Sequence, residues 1–350
     1  MQPFSLVTGA TGFLGSHLVR LLLERGEHVK ALVRPGSNIS ALSGLPQDRF
    51  KLAVGDVRIE PSVYAALAGC TRLYHLAANF KFWDRDPARI VTPMVDGMRA
   101  TLRAAQARGL EKIVVTSSAS VLGVSSTPES MDESHACNLH DPEAYFAAKV
   151  AADEVTQEFI DAGQPIVRVL PSTIVGPGDW KPTPNGRLIL DYLKTPSTSH
   201  FPVSSGGLNL VDVEDVARGH ILAMERGAIG ESFILGGENL TYTQIFETLC
   251  DLTGLAEPSA PKSKGLLQLV GTLSELKARL RGGDPRITSR IARDYIGAYV
   301  YVTSEKAETQ LDYTHRSARE GLARSVRWFL ANGYVPKKAA HRVRLELRPV

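Results

Sequence analysis

The chain has 350 residues, 43% hydrophobic and 22% charged, with a formal net charge of +3. That length supports a full core and about two domains, and the composition is that of a soluble globular enzyme. The charge is too mild for a nucleic-acid partner but suits an anionic ligand. No apolar run reaches the length of a membrane span. Cys70, Cys137 and Cys250 are odd in number and lack metal-ligand spacing, so they read as buried or free thiols in a reducing compartment, with no metal site. The first residues enter a strand directly, which leaves no room for a signal peptide, and the expected location is cytoplasmic.

The first half alternates strand and helix patterns. Phe4 to Val7 reads as a buried strand, followed by the glycine turn Gly9-Ala10-Thr11-Gly12 and a helix with apolar spacing from Phe13 to Leu23. Strands follow at His28–Val33, Phe50–Val54, Leu73–Ala78, Lys112–Thr116 and Ile166–Leu170. Helices are expected at Pro61–Leu67, Pro87–Arg108 and Pro142–Ile160. This alternation predicts an α/β fold: a doubly wound parallel sheet with helices on both faces. From Pro171 the pattern breaks into loops rich in Pro and Gly. Asn209–Val213 and Phe233–Leu235 read as short strands around a helix at Val216–Glu225, and the chain beyond Thr243 reads as mostly helical. The expected division is a dinucleotide-binding domain over 1–175 with 208–236 returning to it. A smaller substrate domain takes 176–207 and 237–335. The basic tail 336–350 reads as a frayed solvated end. The apolar stretch Gly265 to Leu280 reads either as a lid over a lipophilic substrate or as core.

The polar motifs cluster at strand ends, where ligands bind in such sheets. At the first turn Gly9 permits the tight bend, Gly12 keeps a Cβ away from phosphates, and Gly15 allows close helix packing. Together they leave helix-terminal N–H groups for a pyrophosphate. Arg34 stands 19 residues after Gly15, where an acidic residue is expected to meet a ribose 2′-hydroxyl. Its planar cation suits a 2′-phosphate instead, which favours NADPH (NADP+) over NADH while leaving NADH open. Ser37 and Asn38 can join it. Asp56 closes the third strand and suits an adenine amino group, or a helix cap. Ala77 and Ala78 leave room for a cofactor, or simply pack closely. Tyr145 and Lys149 lie four apart on one helix face. There a lysine ammonium is expected to lower the phenol pKa and make it a proton donor near neutral pH. Ser117 and Ser118 end the fifth strand, where a hydroxyl can bind a substrate oxygen or serve a turn. Phe80, Phe82, Trp83, Val121 and Leu122 follow strand ends and read as an apolar substrate pocket or as interface packing. His75 reads as a core histidine, and no Gly-x-Ser-x-Gly elbow occurs.

These residues resemble the extended short-chain dehydrogenase/reductase superfamily over residues 4 to about 335. Thr8-Gly9-Ala10-Thr11-Gly12-Phe13-Leu14-Gly15 is similar to its cofactor loop, which implies contacts from Thr11, Phe13 and Leu14. Gly55-Asp56-Val57-Arg58 is similar to its adenine segment, and Ser118 with Tyr145 and Lys149 to its catalytic triad. Leu170 to Pro177 resembles the nicotinamide loop, which implies roles for Pro171 and Ile174. Asn209 to Ala217 resembles a late family motif. Val33 to Asn38 resembles the dihydroflavonol 4-reductase branch, which implies NADPH and ketone reduction. Phe80 to Pro87 and Ile234 to Leu240 look like bacterial hopanoid-associated sugar epimerase-like proteins. Where the superfamily usually has Asn-Val-x-Gly-Thr, this chain has Met94-Val95-Asp96-Gly97-Met98, which removes an asparagine that helps position the site. The resemblance also implies a homodimer through the helices Pro87–Arg108 and Pro142–Ile160.

The leading expectation is an NADPH-dependent ketoreductase acting on a small-molecule carbonyl or alcohol. In it Tyr145 delivers a proton, Lys149 holds the nicotinamide ribose and Ser118 polarises the carbonyl. The alternatives are an NAD-dependent nucleotide-sugar epimerase with the same triad, disfavoured by Arg34, and a non-catalytic NADP-binding sensor, favoured only by Met94.

Overall fold

The computed structural model describes residues 3–78, 81–195, 197, 203–258, 264–283, 285 and 288–344. Its strands in chain order are β1 (Phe4–Thr8), β2 (His28–Val33), β3 (Phe50–Val54), β4 (Cys70–His75), β5 (Lys112–Thr116), β6 (Ile166–Pro171), β7 (Thr173–Val175), β8 (Gly207–Asp212), β9 (Ser232–Leu235), β10 (Glu238–Thr241) and β11 (Tyr299–Val300). Seven of them form a parallel sheet in the order β3-β2-β1-β4-β5-β6-β9. The order reverses between β1 and β4, and that reversal opens a crevice beyond their carboxyl ends. The inner strands β1, β5 and β6 are mostly apolar because both faces are covered, whereas edge strand β3 leaves Leu52 and Val54 exposed.

The helices are α1 (Phe13–Glu24), α2 (Glu60–Ala66), α3 (Ala88–Arg108), α4 (Ala144–Asp161), α5 (Pro184–Lys194), α6 (Val213–Arg226), α7 (Tyr242–Thr253), α8 (Lys264–Arg281), α9 (Ser289–Tyr295), α10 (Glu305–Leu311), α11 (Ala318–Ala331) and α12 (Lys337–Ala340). One sheet face buries Leu18, Leu22, Val216, Ile221 and Leu311 from α1, α6 and α10. The other buries Val63, Ile90, Leu102, Ala148 and Val155 from α2, α3 and α4. Each fully buried side chain of this size contributes about 1.5–3 kcal/mol. A third core joins α5, α7, α11 and α12 through Leu193, Phe246, Val326 and Phe329.

The doubly wound sheet is as expected, and four features differ from the sequence reading. The strand expected over Leu73–Ala78 runs instead from Cys70 to His75, so Ala77 and Ala78 lie in the loop beyond its end. Residues 208–236 do not return as a unit to the large sheet. β8 belongs to a second, four-stranded sheet, pairing antiparallel with β10 and parallel with β7 and β11, while α6 and β9 rejoin the large one. The Pro-rich stretch after Gly178 contains α5, with Thr183 capping it and Pro184 in its first turn. The basic tail is not frayed up to residue 344: α12 packs on α5, and Arg342 donates to the carbonyls of Leu193 (3.1 Å) and Thr195 (2.8 Å). Residues 345–350 lie outside the described set.

The two sheets are joined through the start of α6. Asp212 caps that helix by accepting from the Glu214 N–H at 2.9 Å. Arg316 then reaches Asp215 (2.6 Å), Glu214 (3.1 Å), Asp212 (3.4 Å) and Glu320 (3.1 Å), and Arg324 pairs with Glu214. The Asp212 and Asp215 side chains are 0% and 1% exposed, so their charges depend on these partners. Removing one partner of a buried ion pair leaves the other uncompensated. Arg316→Met is therefore expected to destabilise the protein by about 2–4 kcal/mol in urea unfolding. A change within about 0.5 kcal/mol would show that Arg324 and Arg218, which pairs with Asp215, suffice.

Candidate active site

The site begins where β1 enters α1. Gly9 has φ of +70°, and a Cβ there would stand 2.8 Å from the Leu76 carbonyl carbon. A Cβ on Gly15 would stand 2.2 Å from the Gly9 oxygen, so Gly15 lets α1 close onto the turn itself. Gly12 is the N-cap of α1, and its Cβ would meet the Gly9 oxygen at 3.1 Å. Among the described residues no side chain caps this helix and no acid occupies its first turn. Thr11 belongs to the turn, and Phe13 and Leu14 open the helix. The first N–H groups and the positive end of the helix dipole thus lie uncapped at the carboxyl edge of the sheet, a place suited to phosphate. The β4 side is fixed by Thr8, whose Oγ1 pairs with His75 Nδ1 at 2.9 Å and accepts from the Ala77 N–H at 3.1 Å. Burial holds His75 neutral, with its pKa lowered to about 4.

Tyr145 and Lys149 share one buried face of α4. Lys149 Nζ donates to the carbonyls of Thr116 and Ser117, each at 3.3 Å, at the end of β5. Burial lowers its pKa from 10.5 to about 8, against the pull of Asp153 one turn on. Asp153 is itself paired with Arg168 at 3.1 Å. Burial also pushes the Tyr145 hydroxyl well above its ordinary value. This is opposite to the lowering expected from the Tyr-Lys spacing, because desolvation of the phenolate outweighs any help from the ammonium in this state. A cavity lined by Ala77, Ala78, Met94, Ser117, Lys149 and Asp153 adjoins the pair. Met94, in place of the usual asparagine, brings only a thioether to this wall, a weak acceptor that keeps the surroundings of Lys149 apolar.

Ser118 caps the short 3-10 turn Ala119–Leu122, and its Oγ accepts from the Ser120 N–H (3.2 Å) and hydroxyl (2.8 Å). Ser117 Oγ is buried without a hydrogen-bond partner among the described residues. Arg34 is exposed at the end of β2. Asp56 lies near it but does not cap α2, whose N-cap is Ile59. Its carboxylate grips Arg58 (2.6 Å), which together with Arg34 holds its pKa low. Val57 packs beside Gly97 of α3. Pro171 ends β6, and Ile174 sits in β7 beside Val211 of β8.

The expected substrate residues divide. Phe80 lies outside the described residues. Trp83 is buried. Val121 and Leu122 pack with Ala119, Met131, Leu170, Ile234 and Val302 in a small core beneath the strand ends. Leu122 is only 3% exposed in this core. Phe82 is the aromatic that reaches the site, stacked on Tyr145 at 4.7 Å between ring centres. Phe146 meets both rings edge-on and stacks on Tyr295 of α9. Sequence reasoning passed over Phe146, Asp153 and Tyr295. The four-residue spacing Tyr145–Lys149–Asp153 was the available signal for Asp153; Tyr295, 150 residues from Tyr145, had none.

Glycine turn, strand-end serines and buried Tyr-Lys pair together define a dinucleotide-binding enzyme of the doubly wound class. Residues 5–236 match the NAD dependent epimerase/dehydratase family. The chain is 36% identical to a putative dihydroflavonol 4-reductase of Synechocystis sp., over 96% of this chain and 97% of that one. It is 33% identical to sterol demethylase protein B of Methylococcus capsulatus, over 95% and 99%. The crystal structure of gox2253 superposes with a TM-score of 0.83 at 36% identity, covering 95% of this chain and all of that one. The protein belongs to the NAD dependent epimerase/dehydratase family, within the extended short-chain dehydrogenase/reductases, on the dihydroflavonol 4-reductase-like branch. It is an NAD(P)-dependent enzyme acting on CH–OH and C=O groups.

The buried ammonium has a measurable consequence. With a native pKa below its unfolded value, Lys149 binds fewer protons folded than unfolded between pH 8 and 10.5, so its contribution to stability rises with pH across that window. Compared with Lys149→Met, which carries no charge, the wild type is expected to gain up to about 3 kcal/mol from pH 8 to 10.5. Paired urea titrations measure this difference, and parallel curves would show that the charge is not desolvated.

Proposed function

We propose that the protein is an NADPH-dependent reductase that converts a carbonyl to an alcohol. The observation that carries this reading is the buried α4 face, where Tyr145 lies under Phe82 and Lys149 is held at the carbonyls of Thr116 and Ser117. When bound, NADPH supplies the hydride. The chain supports such a cofactor with the glycine turn at Gly9, Gly12 and Gly15 for its pyrophosphate. Arg34 and Asn38 suit a 2′-phosphate, and Asp56 keeps carboxylate capacity for an adenine amino group beside its Arg58 pair. Ala77, Ala78, Pro171 and Ile174 border the path inward.

Tyr145 is the proton donor to the substrate oxygen. Burial keeps its hydroxyl protonated, and it can still donate to the more basic oxygen that a carbonyl becomes on receiving hydride. Lys149 stabilises the phenolate left behind, an effect that strengthens in a dry site. Ser118, whose Oγ accepts from Ser120, keeps its own hydroxyl hydrogen for the substrate oxygen. Phe82 and Phe146 exclude water and favour an apolar substrate. The names of the relatives are in keeping with this: one is a putative dihydroflavonol 4-reductase and another a sterol demethylase protein B. Arg34 disfavours the sugar-epimerase reading.

The test is NADPH consumption over a panel of lipophilic ketones. Tyr145→Phe is expected to lower kcat by about 10²-fold or more while leaving NADPH binding intact. Arg34→Ala is expected to abolish the preference for NADPH over NADH, measured by fluorescence titration of the protein. Full turnover in Tyr145→Phe, or a cofactor preference indifferent to Arg34, would overturn the assignment.

A further inference from the structure

Helix α8, over the apolar stretch Gly265 to Leu280, is not simply core. Its inner face is pressed on the chain before α9: a Cβ on Gly271 would stand 2.9 Å from Thr288, Ala278 is buried, and Glu275 Oε1 accepts from the Ser289 N–H (2.5 Å) and hydroxyl (2.9 Å). On the opposite face Leu269, Leu273, Leu276 and Leu280 are 52–76% exposed. At about 100° per residue these four fall in one narrow stripe. Exposed Lys277 and Arg281 lie on one flank of it and exposed Arg279 on the other. Glu275 is the only acid in the helix, and it is turned inward. An apolar stripe between rows of cations is the form that lies in a lipid interface, its leucines among the acyl chains and its cations at anionic headgroups. A second copy of the chain would bring the same leucines but no acid on this helix for the cations. Among the described residues no helix is long and apolar enough to cross a membrane, which leaves docking on the surface.

The stripe also lies beside the reaction site. Arg85 donates to the carbonyls of Arg279 (2.7 Å) and Ala278 (3.4 Å), and three residues before it Phe82 stacks on Tyr145. From the other side Tyr295, ending α9, stacks on Phe146. We propose that α8 seats the enzyme on a bilayer surface bearing anionic lipid, and that its substrate is a lipophilic carbonyl or alcohol drawn from that bilayer. The second clause rests on the reductase reading; the first does not.

The full chain is floated with vesicles of phosphatidylcholine alone and of phosphatidylcholine with phosphatidylglycerol, beside the double variant Leu273→Ser/Leu276→Ser. Unchanged circular dichroism and NADPH binding show that the variant is folded. The expected result is binding to the anionic vesicles that falls roughly tenfold or more in the variant and weakens at high salt. No binding by the wild type, or equal binding by the variant, overturns docking. So does a wild-type dimer that becomes a monomer in the variant without any vesicle binding, since the stripe would then be an interface between copies. Vesicle binding by a chain that reduces no carbonyl would refute the reductase reading alone. Turnover of a soluble ketone without vesicle binding would refute docking alone.

Discussion

One ammonium group buried at the carboxyl edge of the sheet sets the terms for the rest of the site. Lys149 can stay charged there only because the carbonyls of Thr116 and Ser117 and the charge of Asp153 face it. Its depressed pKa shows that these partners compensate only part of the desolvation. β5 must therefore end where it does, α4 must lie across that end, and Arg168 must hold Asp153 from β6. The same placement puts Tyr145 one turn away under Phe82. A positive charge held close to a neutral phenol is an arrangement that favours a phenolate once a proton has left.

The second constraint is steric. Gly9 and Gly15 bring α1 against the carboxyl end of β4 with no space for a Cβ at either position. Thr8 and His75 fasten the two strands across the reversal in strand order. The uncapped N–H groups of α1 and the Tyr-Lys face thereby lie at one edge, although more than 120 residues separate them in sequence. The second sheet is tied to the large one by the carboxylate–arginine cluster around Asp212 and Arg316, and α9 reaches the Tyr-Lys face through Tyr295 on Phe146.

Much of this was legible in the chain. The strand, glycine turn and helix at residues 4–24 have local signatures, as does the spacing of Tyr145 and Lys149, because backbone conformation and helix periodicity act over a few residues. What escaped depends on distant partners. β10 and β11 are strands of four and two residues that pair with β8, and Tyr299 of β11 also bridges Ser125. Leu122 could be sorted into core or pocket only by knowing that Ile234 and Val302 stand against it. The direction of the Tyr145 shift reversed because burial, which spacing does not reveal, outweighs a neighbouring charge. The apolar pattern of α8 was visible, but which side of it meets water was not.

The claim that this site reduces a carbonyl, and does not epimerise a sugar, is tested most directly by isotope transfer. With NADPH deuterated at C4 and a lipophilic ketone, the account predicts one deuterium in the released alcohol for each NADPH oxidised. Ketone left unreduced with no deuterium transferred, while a nucleotide sugar supplied with NAD+ is inverted at one carbon without net cofactor reduction, would contradict it, because the hydride would then have left and returned to the same molecule.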